Sequence, residues 1–439
     1  MSEWKKVKIG EFLTEREGRF KPDDKRISKY QRLDKIDFSG NIHLSNKPTK
    51  TDMILVQPSD LIISGINVAK GAITVYQGEE PVCATIHYSS YTFDSSKVDL
   101  DYFKFFVKSA AFIAAMQKQV KGGIKTEIKP KHLLALEISI PDLGTQKKIV
   151  KEISSQLEKT EQLSSEIEKQ KSYAKQLRQN ILQEAIKGKL TADWRKQHPV
   201  QKGNPDYDAE ALFDKIQAEN SETKSSKKTV APITKDEIPF EIPTNWKWVR
   251  LGDLADIVRG GSPRPAGDKK YYEGNIPFLK VGDLTNSESM ELWTYTHTIK
   301  EAGLKKTRFV KKDTLMLTNS GATLGIPKIC MIDTAFNDGI AAFLGISIRI
   351  LKEYLFYFLK SKTTWFLKEA AKGQGQPNLN TDIIAATEFP LPPLAEQKEI
   401  VARVEQHLQT ITQLETQIAT RETTTKQLMQ SILKDAFEE

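Results

Sequence analysis

The stretch Ile140-Pro-Asp-Leu-Gly-Thr-Gln-Lys-Lys-Ile-Val150 returns as Leu391-Pro-Pro-Leu-Ala-Glu-Gln-Lys-Glu-Ile-Val401, 251 positions further on. That register holds without a gap for about fifty residues. Leu157 matches Leu408, Leu163 matches Leu414, Ile167 matches Ile418, Lys175-Gln-Leu177 matches Lys426-Gln-Leu428, and Ile181-Leu182 matches Ile432-Leu433. An ungapped match of this length, with its apolar positions preserved, reads as a duplication. A second anchor lies upstream: Trp4-Lys-Lys-Val-Lys-Ile-Gly-Glu-Phe-Leu13 against Trp246-Lys-Trp-Val-Arg-Leu-Gly-Asp-Leu-Ala255, here 242 positions apart. The chain is therefore two copies of one plan, a globular segment followed by a long helix, with a few extra residues in the second.

The helices are the clearest local feature. From Gln146 to Ile186 there is neither Pro nor Gly, and Gly188 supplies a stop. Apolar or small residues recur at Val150, Ile153, Leu157 and Thr160, then at Leu163, Ile167, Ala174, Leu177 and Ile181. The 3–4 spacing predicts a coiled-coil seam with one three-residue stammer near 160–163. The second copy repeats it at Val401, Val404, Leu408 and Ile411, then Leu414, Ile418, Thr425, Leu428 and Ile432. Residues 145–190 carry a net charge of +4 and residues 395–439 a net of −3, which suits two helices lying side by side. The expected plan is 1–144 as a first globular domain, 145–190 as a helix and 191–245 as a linker with a short helix near Ala209–Ile216. A second domain over 246–394 and a last helix over 395–439 complete it. Each globular half offers short strands (53–56, 61–64, 72–76; 314–318, 327–332), then a helix over 100–119 or 352–372, so the fold class is α+β. The two helices are expected to form an antiparallel coiled coil, with the halves in a pseudo-twofold arrangement.

The totals set outer bounds. The 439 residues are 39% hydrophobic and 28% charged with a net charge of +8, and no uncharged apolar run approaches the length that spans a bilayer. The composition predicts a soluble cytoplasmic protein with no membrane partner. Cys83 and Cys330 sit among apolar neighbours (PVCATI, PKICMI) and are expected to be buried reduced thiols.

Chemical motifs are scarce. There is no Gly-x-x-x-x-Gly-Lys-Ser/Thr phosphate loop, no His-Glu-x-x-His and no Cys-x-x-Cys, so neither a nucleotide nor a metal site is expected. Asn204-Pro-Asp-Tyr207 superficially resembles the Asn-Pro-Pro-Tyr loop of amino methyltransferases, but it lies in the linker and no glycine-rich cofactor loop precedes it. Gly260-Gly-Ser-Pro-Arg264 lacks a strand–helix context for a dinucleotide. With no catalytic residues to nominate, the chain reads as a recognition module. The excess positive charge falls in the two globular halves (+4 over 1–144, +5 over 246–394) and in the first helix, a pattern that suits phosphate neutralisation. Candidate DNA-binding residues are Lys118, Lys121, Lys125, Lys129 and Lys131 around Gly122-Gly123. In the second half they are Arg259, Arg264, Lys269 and Lys270, with Gln374, Gln376, Asn378 and Asn380 in Lys372-Gly-Gln-Gly-Gln-Pro-Asn-Leu-Asn380. Asn and Gln can bond adenine in bidentate fashion, and Arg or Lys can read guanine.

The two Trp-initiated openings, the Leu-Pro-Pro-Leu-Ala-Glu-Gln-Lys-Glu-Ile-Val run and the linker phrases Leu190-Thr-Ala-Asp-Trp-Arg195 and Pro239-Phe-Glu-Ile-Pro243 resemble the specificity subunit of type I restriction–modification systems. The resemblance spans the chain. It implies two target recognition domains, each reading one half of a split, asymmetric DNA sequence, with the paired helices as spacer and as docking surface for two methyltransferase subunits. Motor–nuclease subunits would join that core. S-adenosylmethionine for adenine-N6 methylation, ATP and Mg²⁺ would all belong to the partners, leaving this chain non-catalytic and free of cofactors. Pro141-Asp-Leu-Gly-Thr-Gln146 departs from the Pro-Pro-Leu-Ala-Glu-Gln form, which implies unequal partner affinity for the two helices. A specificity subunit of another class of restriction enzyme, or a coiled-coil scaffold that binds only proteins, is the alternative.

Overall fold

The computed structural model describes residues 4–38, 40–67, 72–110, 112, 114–115, 129–223, 231–370 and 378–437. The chain divides into two compact units: 1–170 with 417–439, and 171–416. Only the second is a continuous stretch of sequence; the first is completed by the end of the chain.

In the first unit the strands are β1 (Lys5–Lys8), β2 (Leu13–Glu15), β3 (Arg32–Ile36), β4 (Ile42–Ser45), β5 (Met53–Val56), β6 (Leu61–Ser64), β7 (Ile73–Val75), β8 (Val82–Thr85), β9 (Tyr88–Phe93) and β10 (Glu137–Ile140). The helices are α1 (Leu100–Phe106), α2 (Pro130–Leu134) and the first part of α3 (Leu143–Ile186). One sheet has the order β2-β9-β6-β7 and another β4-β3-β8-β5, while β1 and β10 form a two-stranded ribbon. All pairings are antiparallel except β3 with β8.

The second unit opens on the end of α3 and the linker helices α4 (Ala192–Gln197) and α5 (Ala209–Thr223). It continues with β11 (Lys247–Arg250), β12 (Asp256–Arg259), β13 (Tyr272–Leu279), β14 (Glu291–Leu292), β15 (His297–Ile299), β16 (Arg308–Val310), β17 (Thr314–Thr318), β18 (Pro327–Cys330), β19 (Thr334–Phe336) and β20 (Ile340–Leu344). Helix α6 (Lys352–Trp365), helix α7 (Thr381–Ala386), β21 (Glu388–Leu391) and helix α8 (Leu394–Phe437) follow. The sheets are β12-β20-β17-β18-β14 and β15-β13-β19-β16, with a β11-β21 ribbon and a parallel β13–β19 pair. The second unit thus repeats the first strand for strand and adds β14. Even the two offsets survive as register: Lys5 opposite Ile140 becomes Lys247 opposite Leu391.

A repeated glutamine joins each globular half to its long helix. Gln146 donates from Nε2 to the Pro141 carbonyl (2.8 Å) and accepts from the Asp99 amide (2.8 Å), just before α1. Gln397 does the same with the Pro392 carbonyl (3.1 Å) and the Leu351 amide (2.9 Å), just before α6. Both glutamines are fully buried, where an unpaired amide is costly, so these bonds lock one helix against the other.

The seam of the long helices is more regular than the sequence reading. Ile153, Thr160, Ile167, Ala174 and Ile181 are buried at a strict seven-residue interval, as are Val404, Ile411, Ile418, Thr425 and Ile432. Four residues on from each, Leu157, Ser164, Lys171 and Arg178 are half-buried, as are Leu408, Glu415, Glu422 and Met429. The repeat runs straight through Thr160, so the stammer is absent. Leu163, Leu177, Leu414 and Leu428, expected in the seam, are instead 42–46% exposed. Each sits one residue, about 100° of helix rotation, before a half-buried position, and is turned out of the contact.

Pairing is antiparallel within each unit. In the first, Ile153 and Leu157 share a core with Ile432 and Leu433. In the second, Arg178 makes a forked ion pair with Glu415 (3.0 and 2.7 Å) and a bond to Thr412 Oγ1 (2.9 Å). The bond from Arg178 holds the Glu415 carboxyl below its usual range. A partly exposed pair of this kind is worth about 0.2–1 kcal/mol, so it sets register more than stability. Arg178→Glu is expected to lower the melting temperature of the second unit by a few degrees through like-charge repulsion. Combining it with Glu415→Arg should recover most of that loss; a double variant no better than the single would show the pair to be incidental.

Candidate nucleic-acid interface

Lys118, Lys121, Lys125, Gln374 and Gln376 lie outside the described residues. The remaining sequence candidates separate into those that line a cleft and those that do not.

In the first unit a cleft of about 480 Å³ opens between the end of β2, the Ile86–Ser90 turn into β9, Gly65 beyond β6, and Lys129-Pro130 at the start of α2. Its wall is an ion pair. Arg16 is bidentate to the buried Asp60 (2.7 and 2.8 Å), which also accepts from Ser90 Oγ (2.7 Å) and the Gln57 amide (2.9 Å). The hydrogen bonds to Asp60 raise the Arg16 pKa further and commit its Nε–Nη2 edge to the protein. Arg19, His87 and Lys129 are exposed at the rim and make no side-chain hydrogen bond among the described residues. Lys131 is exposed on α2 and does not line the cleft.

In the second unit a cleft of about 470 Å³ is lined by Arg259 and Arg264, Ser320, Asn337-Asp338-Gly339 and Asn378. Asp338 organises it. Its carbonyl accepts from Arg259 Nε, and its carboxylate accepts from Ser262 Oγ (2.6 Å) and lies 3.9 Å from Arg264. Gly260-Gly261 has a packing role here. A Cβ on Gly260 would lie 2.3 Å from the Asn337 carbonyl oxygen, and one on Gly261 2.5 Å from that of Lys306. The glycines let the chain leave β12 against the loop before β20 and the turn before β16. Asn319, just behind, is fully buried with neither side-chain polar atom hydrogen-bonded among the described residues, and Asn378 Oδ1 is likewise unbonded.

Three candidates have other duties or places. Asn380 caps α7, its Oδ1 accepting from the Ile383 amide (2.8 Å). Lys270 lies over the Tyr271 ring at 5.4 Å, and Lys269 is exposed away from the cleft lining. The residues that sequence reasoning missed, Arg19, His87, Asn337 and Asp338, reach the clefts from different strand ends, and no local spacing announces them.

The linker is a structural tie. Ala209, Leu212 and Ile216 of α5 are fully buried, and the Pro205 and Asp206 carbonyls accept from the Leu394 and Ala395 amides at the start of α8 (3.2 and 3.1 Å). Asn204-Pro-Asp-Tyr207 is therefore a cover for a helix end. Both cysteines are buried, and burial pushes the Cys83 thiol up to about 11. No helix of the described residues is long and apolar enough to cross a membrane.

Comparison with known proteins agrees with the duplicated plan. The EcoEI specificity subunit of Escherichia coli, a type I restriction enzyme component, is 24% identical over 271 residues, covering 60% of this chain and 45% of that protein. The chain thus spans about half the length of that curated relative. A chain from a solved type I R-M system matches at a TM-score of 0.65 with 18% identity, covering 99% of this chain and 98% of the other. The HsdS subunit of Thermoanaerobacter tengcongensis matches at 0.54 with 17% identity, over 99% and 96%. At such identities the two structures speak for the fold. A family model described as the type I restriction modification DNA specificity domain matches twice, over residues 1–170 and 243–421. Each match takes in one globular half and the first part of the helix that follows it, so the chain belongs to that family.

Proposed function

We propose that this chain is the DNA-specificity subunit of a type I restriction–modification system. It binds double-stranded DNA at a bipartite, asymmetric target and directs partner subunits to it. The observation that carries this reading is the duplication. One α+β plan, repeated strand for strand, carries different residues at its loop ends, as expected of two readers of two different half-sites. Pairing half-sites multiplies discrimination, since each mismatched base pair costs about 1–3 kcal/mol roughly additively. The chain is non-catalytic: two methyltransferase subunits methylate adenine N6, and motor–nuclease subunits cleave. S-adenosylmethionine, ATP and Mg²⁺ belong to those partners, and the complex works in the cytoplasm.

The four exposed leucines support the partner assignment. Leu163 and Leu414, like Leu177 and Leu428, are equivalent under the 251-residue repeat and equally uncovered. Two equivalent apolar flanks suit two copies of one protein partner. Mapping of genomic adenine methylation with this gene deleted and the methyltransferase gene retained tests the proposal. One bipartite motif should disappear; unchanged methylation at a motif the intact system modifies would overturn it.

A further inference from the structure

The two clefts occupy the same place in the repeated plan. Each lies between the chain leaving the first strand of its sheet (β2 or β12) and the turn entering the neighbouring strand (β9 or β20). The chain beyond the third strand (β6 or β17) and the stretch just before the short helix that precedes the ribbon (α2 or α7) complete it. Four segments far apart in sequence converge in the same way twice. Their volumes, about 480 and 470 Å³, are nearly equal. The side chains are not alike: Arg19, His87 and Lys129 in one, Arg264, Asn337 and Asn378 in the other.

Resting on the specificity-subunit reading, we infer that these clefts are the base-reading sites, each taking base edges from one half of the target, and that the six residues named set the sequence. Strand ends and the loops they hold give a rigid frame with exchangeable contacts. Arg264 is three-quarters exposed and only loosely held at 3.9 Å from Asp338, so its donors are available to guanine O6 and N7. Asn378 lines the cleft with an Oδ1 that is buried and unbonded, and rotation of that side chain toward the cleft would offer its amide to adenine N6 and N7. Asn319 lies directly behind. Its carbonyl accepts from the Leu379 amide and its amide donates to the Gly339 carbonyl, tying together the two segments that carry Asn378 and Asp338. A buried amide side chain without partners is expensive in the free protein, and the cost falls when a ligand with donors and acceptors fills the cleft. In the first cleft the Nε–Nη2 edge of Arg16, the edge that would grip a guanine, is taken up by Asp60. Arg19, Lys129 and His87 remain to meet DNA.

The test uses the full chain with its methyltransferase partner. The motif is mapped by methylation sequencing for wild type, for Arg264→Ala with Asn378→Ala, and for Arg19→Ala with Lys129→Ala. Binding is then measured on duplexes carrying the wild-type motif or one scrambled half. Each double variant should bind the intact duplex roughly 10–100-fold more weakly, the size expected for one or two base contacts. It should also lose discrimination at one half only, the opposite half for the other variant. Arg264→Lys and Asn378→Asp leave the fold least disturbed and should change which base is preferred. If wild type yields a bipartite motif but every variant keeps both halves and binds within threefold, the clefts are not the readers. If wild type yields no bipartite motif, the specificity-subunit reading itself fails, and this inference with it.

Discussion

Glu396→Ala is expected to destabilise the second unit by about 3–5 kcal/mol, the range for breaking a buried ion pair by removing one partner. Glu396 is fully buried in the first turn of α8. One carboxylate oxygen accepts from Thr191 Oγ1 (2.7 Å) and from Arg195 Nη1; the other accepts from Trp246 Nε1 (2.8 Å) and Asn245 Nδ2 (3.1 Å). Arg195 also donates to the Gly188 carbonyl at the end of α3. A single acid therefore holds the end of one long helix, both ends of the linker and the entry to β11. Removing it leaves a mostly buried guanidinium and an indole N–H without acceptors. For a unit of this size the loss corresponds to a drop in melting temperature of about 6–20 °C, readable by calorimetry. Glu396→Gln keeps the shape but turns an NH₂ group toward donors, so it should fall between alanine and wild type. A glutamine variant as stable as wild type would show that the charge is dispensable.

The same contacts account for the difference between the two helix starts. The residue equivalent to Glu396 is Thr145, whose amide and hydroxyl bond to Asp142 (3.0 and 2.9 Å) as a local helix start. The linker occurs only once in the chain, between the halves, so only the second copy has Thr191, Arg195, Asn245 and Trp246 to hold. The departure from Leu-Pro-Pro-Leu-Ala-Glu-Gln at Asp142–Gln146 thus has a reason inside the chain, without appeal to partner affinity.

What was legible in the sequence follows from the range of the interactions involved. Helix α3 was readable as one long helix, its ends within four residues (145–190 expected, Leu143–Ile186 observed), because the absence of Pro and Gly, the stop at Gly188 and the apolar spacing are all local. Its seam was readable at Ile153, Ile167 and Ile181 but misplaced at Leu163 and Leu177. A leucine scores as core by composition, whereas Ser164 and Arg178 earn the inward positions only through what faces them. The strands at 53–56 and 61–64 stood out as apolar runs; the order of strands in the sheets did not, since β3 meets β8, and β13 meets β19, across about fifty residues or more. The clefts show the same limit. Lys129, Arg259, Arg264 and Asn378 were noticed because glycine-rich or basic loops are conspicuous. Arg19, His87 and Asn337 sit in unremarkable stretches and become neighbours only through strand order. Arg16, next to two acids in sequence, looked like any surface arginine, yet its bidentate bond to Asp60 fixes a cleft wall.

Phe437 carries the other large prediction, because it closes the first unit from the far end of the chain. Its ring packs edge-on against Tyr102 (centroids 5.4 Å apart) and Phe106 (5.5 Å), and Phe106 in turn meets Phe112 (5.4 Å). Tyr102 is fully buried with no partner for its hydroxyl among the described residues, so aromatic packing is what holds that face of α1. Phe437→Ala removes a ring that is only 5% exposed and leaves a cavity between α1 and α8. Phe→Ala changes in such sites cost about 3–5 kcal/mol, of which the aromatic pairs account for about 0.5–1.5 each beyond area. The first unit should therefore melt earlier by about 6–15 °C while the second is little changed, giving two transitions in a scan where wild type gives closer ones. Phe437→Leu fills most of the volume and should restore at least half of the loss. Deletion of the residues from Asp435 onward should match the alanine variant, since the end of α8 is held to the first domain mainly through Phe437, Ala436, Leu433 and Ile432. If the first transition stays in place after Phe437→Ala, the closing contact does not hold the unit together. The first domain would then have to be stable on its own sheets and α1, without its discontinuous helix.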